Sequence, residues 1–183
     1  MWQRFTENAK RTVLYAQQEA LRMGTKDVAS EHLLIGLLRQ AQEQRVQEQQ
    51  GKVWPPAPTA RVEAADMASQ LLGELGLELG AVRAEAAQQK PGAASVVAGD
   101  AILTQDAKRV INLSYNEAQR FPVPHIGTEQ LLLGLISERG GLAGRILARH
   151  GADIARARAS VAGAVDVPIA GTPGFWKRLF GGT

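Results

Sequence analysis

The chain has 183 residues, of which 45% are hydrophobic, and a formal net charge of +3. This length can bury the core of one or two small domains. The chain contains no cysteine, which excludes disulfide and thiolate chemistry and suits a reducing cytosol. No signal-peptide pattern and no stretch of membrane-spanning length is present, so we expect a cytoplasmic protein without a transmembrane segment.

The first two predicted helices carry clear start signals. One runs from Thr6 to Met23, and Thr6 can cap it because its hydroxyl accepts from amides that the first turn leaves unpaired. The next begins at Ser30, which we expect to be its N-cap, with Glu31 at the positive end of the helix dipole. Gly36 lies inside this helix at a cost of about 1 kcal/mol against alanine. A glycine at that position predicts that another backbone passes close to it.

Two more helices are predicted before the chain repeats itself, one over residues 62–75 and one around Val82. Before them, residues 51–58 hold three prolines and cannot continue a helix, so we expect Trp54 in an irregular, extended loop. After them, residues 89–102 have the glycine and proline content of a linker.

The pattern then begins again at a shift of about 98 positions, which identifies an internal duplication. Beyond the leucine-rich helices the shift falls to about 75, because repeat one contains an insertion at about residues 41–63. Each copy therefore reads as four helices, and the fold class is all-α, with about eight helices packed around a pseudo-two-fold axis. The principal matched pairs are Thr6 and Thr104, Ser30 and Thr128, Glu31 and Glu129, and Gly36 and Gly134.

The duplicated motifs resemble a known family. Segments 5–11 (FTENAKR) and 30–38 (SEHLLIGLL) form one set, and segments 103–111 (LTQDAKRVI) and 127–136 (GTEQLLLGLI) form the other. The chain resembles the double Clp N-terminal repeat domain, and is most similar to the N domain of ClpC-type AAA+ unfoldases. That resemblance implies an all-helical module that receives substrates and adaptor proteins for an ATPase ring.

The resemblance also divides the chain. It implies a double Clp N-terminal domain over residues 1–163, in which repeat one is 1–88 and repeat two is 103–163. Residues 164–183 remain as a flexible tail. No phosphate-binding loop is present, so we expect a stand-alone protein that neither binds nor hydrolyses ATP.

The resemblance further implies phosphoarginine binding through the glutamate of each repeated motif. A carboxylate offers two acceptors to a guanidinium, and amides at a helix start can bind a phosphate. A simpler interpretation is that each glutamate only complements its helix dipole. The expected ligand-binding residues are Glu31, Glu129, Thr6, Thr104, Ser30 and Thr128.

The tail carries four large apolar residues that would share one side of a short helix. They could form a docking peptide for a partner groove or a weak membrane-surface anchor, or fold back on their own domain. These residues are Phe175, Trp176, Leu179 and Phe180.

Nothing in the sequence predicts an enzyme. The three histidines, His32, His125 and His150, lack metal-ligand spacing, and we expect no catalytic residue, metal or cofactor. The function that fits best is a binding module for substrates or adaptors of a Clp-type unfoldase or protease. The alternative is a basic helical nucleic-acid-binding protein, suggested by four arginines on the last helices: Arg145, Arg149, Arg156 and Arg158.

Overall fold

The computed structural model describes residues 2–50, 65–88, 102–121 and 125–165. Within these ranges eight α-helices follow a single 3₁₀ turn and are accompanied by two strands of two residues each. The prediction of an all-α fold built from two four-helix repeats is confirmed. The helices are α1 (Glu7–Arg22), α2 (Ser30–Gln49), α3 (Ala65–Glu74), α4 (Leu79–Gln88), α5 (Gln105–Ala118), α6 (Thr128–Ser137), α7 (Leu142–Arg149) and α8 (Ile154–Val165); the strands are β1 (Asp27–Val28) and β2 (Ile102–Leu103).

The first two helices of each repeat cross at a glycine, as predicted. A Cβ on Gly36 would overlap the carbonyl oxygen of Thr12 on α1, and one on Gly134 would lie 2.7 Å from the carbonyl oxygen of Val110 on α5. These distances are too short for a methyl group. The two glycines therefore allow the helices of each pair to approach at backbone contact.

The two repeats are joined by a pair of short parallel bridges that cross between them. Val28 of repeat one pairs with Leu103 of repeat two through β1 and β2, and Phe5 of repeat one pairs with Ile126 of repeat two. At the shift of about 98 positions, Val28 corresponds to Ile126 and Phe5 corresponds to Leu103. Each bridge is therefore the counterpart of the other, with the two repeats exchanged. This exchange is the signature of the pseudo-two-fold axis.

One apolar core runs through both repeats. The leucine-rich faces of α2 and α6 are buried, and side chains from both repeats belong to the same contiguous cluster. A repeat on its own would expose a large part of this surface to water, which favours folding of the two repeats as one unit.

A buried glutamate ties the first helix of each repeat to the last. Glu19 of α1 is 2% exposed and accepts hydrogen bonds from Arg83 of α4. Glu117 of α5 is equally buried and accepts from Arg158 of α8. Burial raises the pKa of Glu19, but hydrogen bonds from Arg83 and Arg22 outweigh it, so the pKa lies below its ordinary value.

The repeats differ most clearly in the length of their second helix. Helix α2 has 20 residues, whereas α6 has 10, and the extra turns cover the first part of the expected insertion. In this extension Arg45 donates to the hydroxyl and the carbonyl oxygen of Ser69, at 2.7 and 2.6 Å. The remainder of the insertion, including Trp54, lies outside the described residues. No described helix is both long and apolar enough to cross a membrane.

Candidate functional site

The starts of α2 and α6 differ in one detail from the sequence prediction. Ser30 and Thr128 are the first helical residues and not the N-caps, so their assignment as caps was wrong. The cap positions belong to Ala29 and Gly127, which have no capping oxygen. Instead, the side chain of the residue three positions after each cap reaches back and accepts a hydrogen bond from the cap amide.

These reaching side chains are the histidine and the glutamine that distinguish the two motifs. The N–H of Ala29 donates to Nδ1 of His32 at 2.9 Å, and the N–H of Gly127 donates to Oε1 of Gln130 at 2.7 Å. The exchange of histidine for glutamine therefore preserves the same hydrogen bond. It also fixes the proton of neutral His32 on Nε2.

Each helix start is completed by the other repeat. The amide of Thr104 donates to the carbonyl of Val28 at 3.0 Å, and the amide of Thr6 donates to the carbonyl of Ile126 at 3.0 Å. Thr6 and Thr104 cap α1 and α5 by accepting from amides one turn on, as predicted for Thr6. Thr104 therefore lies beside the Ser30 and Glu31 helix start, and Thr6 lies beside that of Thr128 and Glu129.

Glu31 lines an open cleft of about 460 Å³ between the repeats, which we call the Glu31 cleft. Its walls come from the end of α1 and the start of α2 on one side, and from α5 and α7 with the loop before it on the other. The charged groups of both signs belong mainly to repeat two. The lining residues are Met23, Ala29, Glu31, His32, Gln105, Asp106, Arg109, Gly140, Gly141, Leu142 and Arg145.

Asp106 of repeat two occupies the N-terminus of α2. Its Oδ2 accepts from the amide of Ser30 at 3.0 Å, and its Oδ1 contacts the hydroxyl of Thr104. Burial raises the pKa of Asp106, but hydrogen bonds from Ser30 and Thr104 outweigh that effect and leave the pKa lowered. Asp106 is therefore a fixed carboxylate at neutral pH.

Ser30 also contacts α7. Its hydroxyl accepts from the amide of Ala143 at 3.4 Å, and Gly141 packs so closely that a Cβ there would overlap the same hydroxyl. The starts of α2 and α7 thus converge on the cleft from different repeats.

Glu31 is held in this cleft against an electrostatic penalty. Burial raises the pKa of Glu31, and the charge of Asp106 raises it further, while hydrogen bonds from its own amide and from Ser30 oppose the rise. The charge of Arg145 also lowers the pKa of Glu31, but the two arginines of the cleft donate their hydrogen bonds to other groups. Arg109 pairs with Glu138 at 3.1 Å, and Arg145 donates to the carbonyl of Gly140 at 2.8 Å.

Glu129 has a different setting, which we call the Glu129 site. Its carboxylate lies directly over the Cα of Gly127, where a Cβ would be 2.6 Å from Oε1. Ala29 holds the corresponding position in repeat one, and its methyl group denies Glu31 that placement. The two glutamates match in sequence but not in the direction of their carboxylates.

Both helix starts leave a buried donor unused. His32 is 3% exposed and Gln130 is 1% exposed, and the Nε2 atom of each has no hydrogen-bond partner among the described residues. A buried unsatisfied donor is costly. Its occurrence at the same position in both repeats indicates a feature of the site.

The remaining sequence candidates are the four apolar residues of the tail and two histidines. Phe175, Trp176, Leu179 and Phe180 lie outside the described residues. His125 and His150 are exposed, and within the described ranges no group of three or more His, Cys, Asp or Glu side chains could hold a metal ion.

The sequence analysis did not assign Asp106 or Arg109 to any site, and it considered Arg145 only for nucleic-acid binding, whereas all three line the Glu31 cleft. Asp106 is visible only as an acidic residue in the first turn of α5. Its contact with Ser30 spans 76 positions, so only the packing of one repeat on the other reveals it.

The chain was compared with known protein families and structures. The family described as the Clp repeat (R) N-terminal domain matches residues 60–150 and 102–168. The chain is 32% identical over 161 residues to chaperone protein ClpB of Oceanobacillus iheyensis. It is 33% identical over 161 residues to ClpC/MecB of Bacillus subtilis, a negative regulator of genetic competence. Each match covers 88% of this chain but only 17% of the relative.

The fold has a counterpart among solved structures. The crystal structure of the N-terminal domain of the ClpD chaperone from Arabidopsis thaliana matches with a TM-score of 0.58 and 23% identity, covering 90% of this chain and 99% of that one. The duplicated motifs, the helix order and the family match agree over most of the chain. This chain belongs to the Clp repeat N-terminal domain family.

Proposed function

We propose that the chain is a non-catalytic protein-binding module that recognises substrates or adaptors for a Clp-type unfoldase or protease. Its relatives include a Clp chaperone and ClpC/MecB, and the chain spans 17% of their length. A region of that size fits a substrate-receiving domain better than the ATPase modules of an unfoldase. The clients it would recognise are proteins that display an arginine side chain, either cationic or phosphorylated.

The observation that carries this proposal is the pair of glutamates at equivalent helix starts. Glu31 and Glu129 each lie in the first turn of a helix. Beside each helix start lies a threonine of the other repeat, Thr104 for Glu31 and Thr6 for Glu129. A carboxylate binds the planar guanidinium with two hydrogen bonds, and a helix N-terminus favours an anion such as a phosphoryl group. Ser30, Thr128, Thr6 and Thr104 would position these groups.

The geometry gives the nucleic-acid alternative no support. Arg158 and Arg149 form ion pairs with Glu117 and Glu85. Arg156 lies 3.5 Å from Glu74. Nucleic-acid binding needs cations available to phosphates, and these pairs occupy three of the four arginines that suggested it.

Calorimetric titration of the full chain tests the proposal. The ligands are a short peptide with one central phosphoarginine and its unphosphorylated counterpart. Two sites per chain are expected when the binding of both peptides is counted together, and Glu31→Ala or Glu129→Ala should each remove about half of that total binding capacity. Glu74→Ala serves as a matched control, because Glu74 is 56% exposed and belongs to neither site.

Two outcomes would contradict the proposal. The first is that neither peptide gives any heat with the wild-type chain at millimolar concentration. The second is that the double variant binds with the affinity and stoichiometry of the wild type. In the second case the glutamates would be ordinary helix-start residues.

A further inference from the structure

We propose that Asp106 makes the Glu31 cleft selective for the cationic guanidinium of unmodified arginine, whereas the Glu129 site is the one that accepts phosphoarginine. This inference rests on the proposed function and divides its ligand between the two sites. It follows from the placement of one carboxylate that has no acidic counterpart in the other repeat.

In the Glu31 cleft a carboxylate already occupies the position that a phosphoryl group would need. A phosphate bound at the start of α2 would accept from the free amides there. In the Glu31 cleft the amide of Ser30 already donates to Oδ2 of Asp106 at 3.0 Å. A phosphoryl group must therefore displace a carboxylate or lie beside one, and both arrangements are unfavourable for a dianion.

The carboxylate of Asp106 is held in place from several sides. Its other oxygen contacts the hydroxyl of Thr104, and Thr104 is anchored to Val28 by its amide at 3.0 Å. On the far side the backbone of Gly141 leaves little room, since a Cβ there would lie 3.0 Å from Oδ2 of Asp106. The carboxylate is preorganised, so a ligand must accept it as it stands.

The two arginines that line the cleft bond to groups other than Glu31 and Asp106. Arg109 is paired with Glu138, and Arg145 donates to the carbonyl of Gly140. Glu31 and Asp106 therefore line the same cleft with no arginine bonded to either. An incoming guanidinium can donate hydrogen bonds to both carboxylates.

His32 has an unused hydrogen-bond donor at Nε2. This side chain lines the same cleft, is 3% exposed, and has no described acceptor for its Nε2–H. A peptide that carries the bound arginine has carbonyl groups that can accept this hydrogen. The cleft thus offers a donor for the backbone of a client as well as two acceptors for its side chain.

The Glu129 site lacks the feature that excludes a phosphoryl group. Asn8 holds the position in repeat one that Asp106 holds in repeat two, and its Oδ1 accepts from Nε2 of Gln40 at 3.3 Å. A neutral amide does not repel a phosphate. At this matched position the repeats therefore differ by one negative charge.

Titrations with the two peptides described above test the inference, one site at a time. In the Glu129→Ala background the unmodified peptide should bind at least tenfold more tightly than the phosphoarginine peptide. Adding Asp106→Asn should reduce that ratio at least tenfold. In the Glu31→Ala background the phosphoarginine peptide should bind, and adding Asn8→Asp should weaken it at least tenfold. Melting curves confirm that each variant is folded.

The outcomes separate the inference from the proposed function. If both backgrounds bind both peptides and neither exchange changes the ratio by more than twofold, arginine recognition stands and the division of labour is wrong. If neither background binds either peptide, the proposed function fails and takes this inference with it. Should Asp106→Asn fail to fold, an unchanged affinity in Asn8→Asp still overturns the inference.

Discussion

The two repeats keep the same internal contacts but place different chemistry at the surface between them. Glu19 with Arg83 and Glu117 with Arg158 are matched pairs, and a glycine lies at both helix crossings. The likeness ends at the two glutamates, because Glu31 lines a cleft with a second carboxylate and Glu129 folds over a glycine. Duplication thus preserved these contacts within each repeat, while the surroundings of the two glutamates came to differ.

The largest expected effect tests whether the matched ion pairs are also equal in energy. Arg158→Met should lower the free energy of unfolding by about 3–5 kcal/mol, because it leaves a buried carboxylate poorly compensated. Within the described part of the chain, Arg120 at 3.4 Å is then the one cation left to Glu117. Arg83→Met should cost less, because Glu19 keeps Arg22 at 3.0 Å and Arg39 at 3.9 Å.

Urea denaturation of both variants measures this difference. Methionine preserves most of the apolar stem, so lost packing does not dominate. Equal losses would show that the extra arginines around Glu19 contribute nothing to its compensation.

The next largest effect concerns the glycine crossings. Gly36→Ala and Gly134→Ala should each destabilise the protein by about 1–3 kcal/mol through overpacking, reduced by the better helix propensity of alanine. The obstructing atoms differ, since the new methyl group would overlap the backbone oxygen of Thr12 in one repeat and the hydroxyl of Ser114 in the other.

A second substitution separates the two crossings. Ser114→Ala removes one obstructing atom, so it should partly rescue Gly134→Ala, and it should not rescue Gly36→Ala. Thermal unfolding is measured for each glycine variant with and without Ser114→Ala. Rescue of both glycine variants to the same degree would mean that the hydroxyl is not the obstruction.

The smallest effect tests whether Glu31 is held in its cleft at a cost to stability. Since the folded-state pKa of Glu31 is raised, its ionised form is disfavoured by folding, and its contribution to stability is lost as pH rises through that pKa. Glu31→Gln should therefore be more stable than the wild type at pH 7. The advantage should disappear below the ordinary glutamate pKa, where both side chains are neutral.

Melting temperatures of the two proteins between pH 4 and 8 provide the measurement. Asp106→Asn is the contrasting variant, because the pKa of Asp106 is lowered and its carboxylate contributes stability that is lost as pH falls. A Glu31→Gln variant that is less stable than the wild type at pH 7 would show that the carboxylate serves the fold.

Much of this architecture could be predicted from the sequence because its signals are local. The apolar periodicity, the repeat shift and the glycines inside α2 and α6 all follow from neighbours along one helix. The N-cap prediction was one residue late because the rule looks for a hydroxyl, whereas His32 and Gln130 satisfy the cap amides from the next turn. Asp106 could not be assigned to the site, because its partner at Ser30 lies on the other repeat.

The crossed bridges between Phe5 and Ile126 and between Val28 and Leu103 have a consequence for how the two sites can evolve. Each repeat finishes the other, as the subunits of an isologous dimer do. In a true homodimer one substitution alters both sites together. Here the two halves share a single chain, so Asp106 and Asn8 can differ while both crossed bridges that join the halves are kept. A covalent dimer of this kind can present two chemically different surfaces where its symmetric equivalent presents the same surface twice.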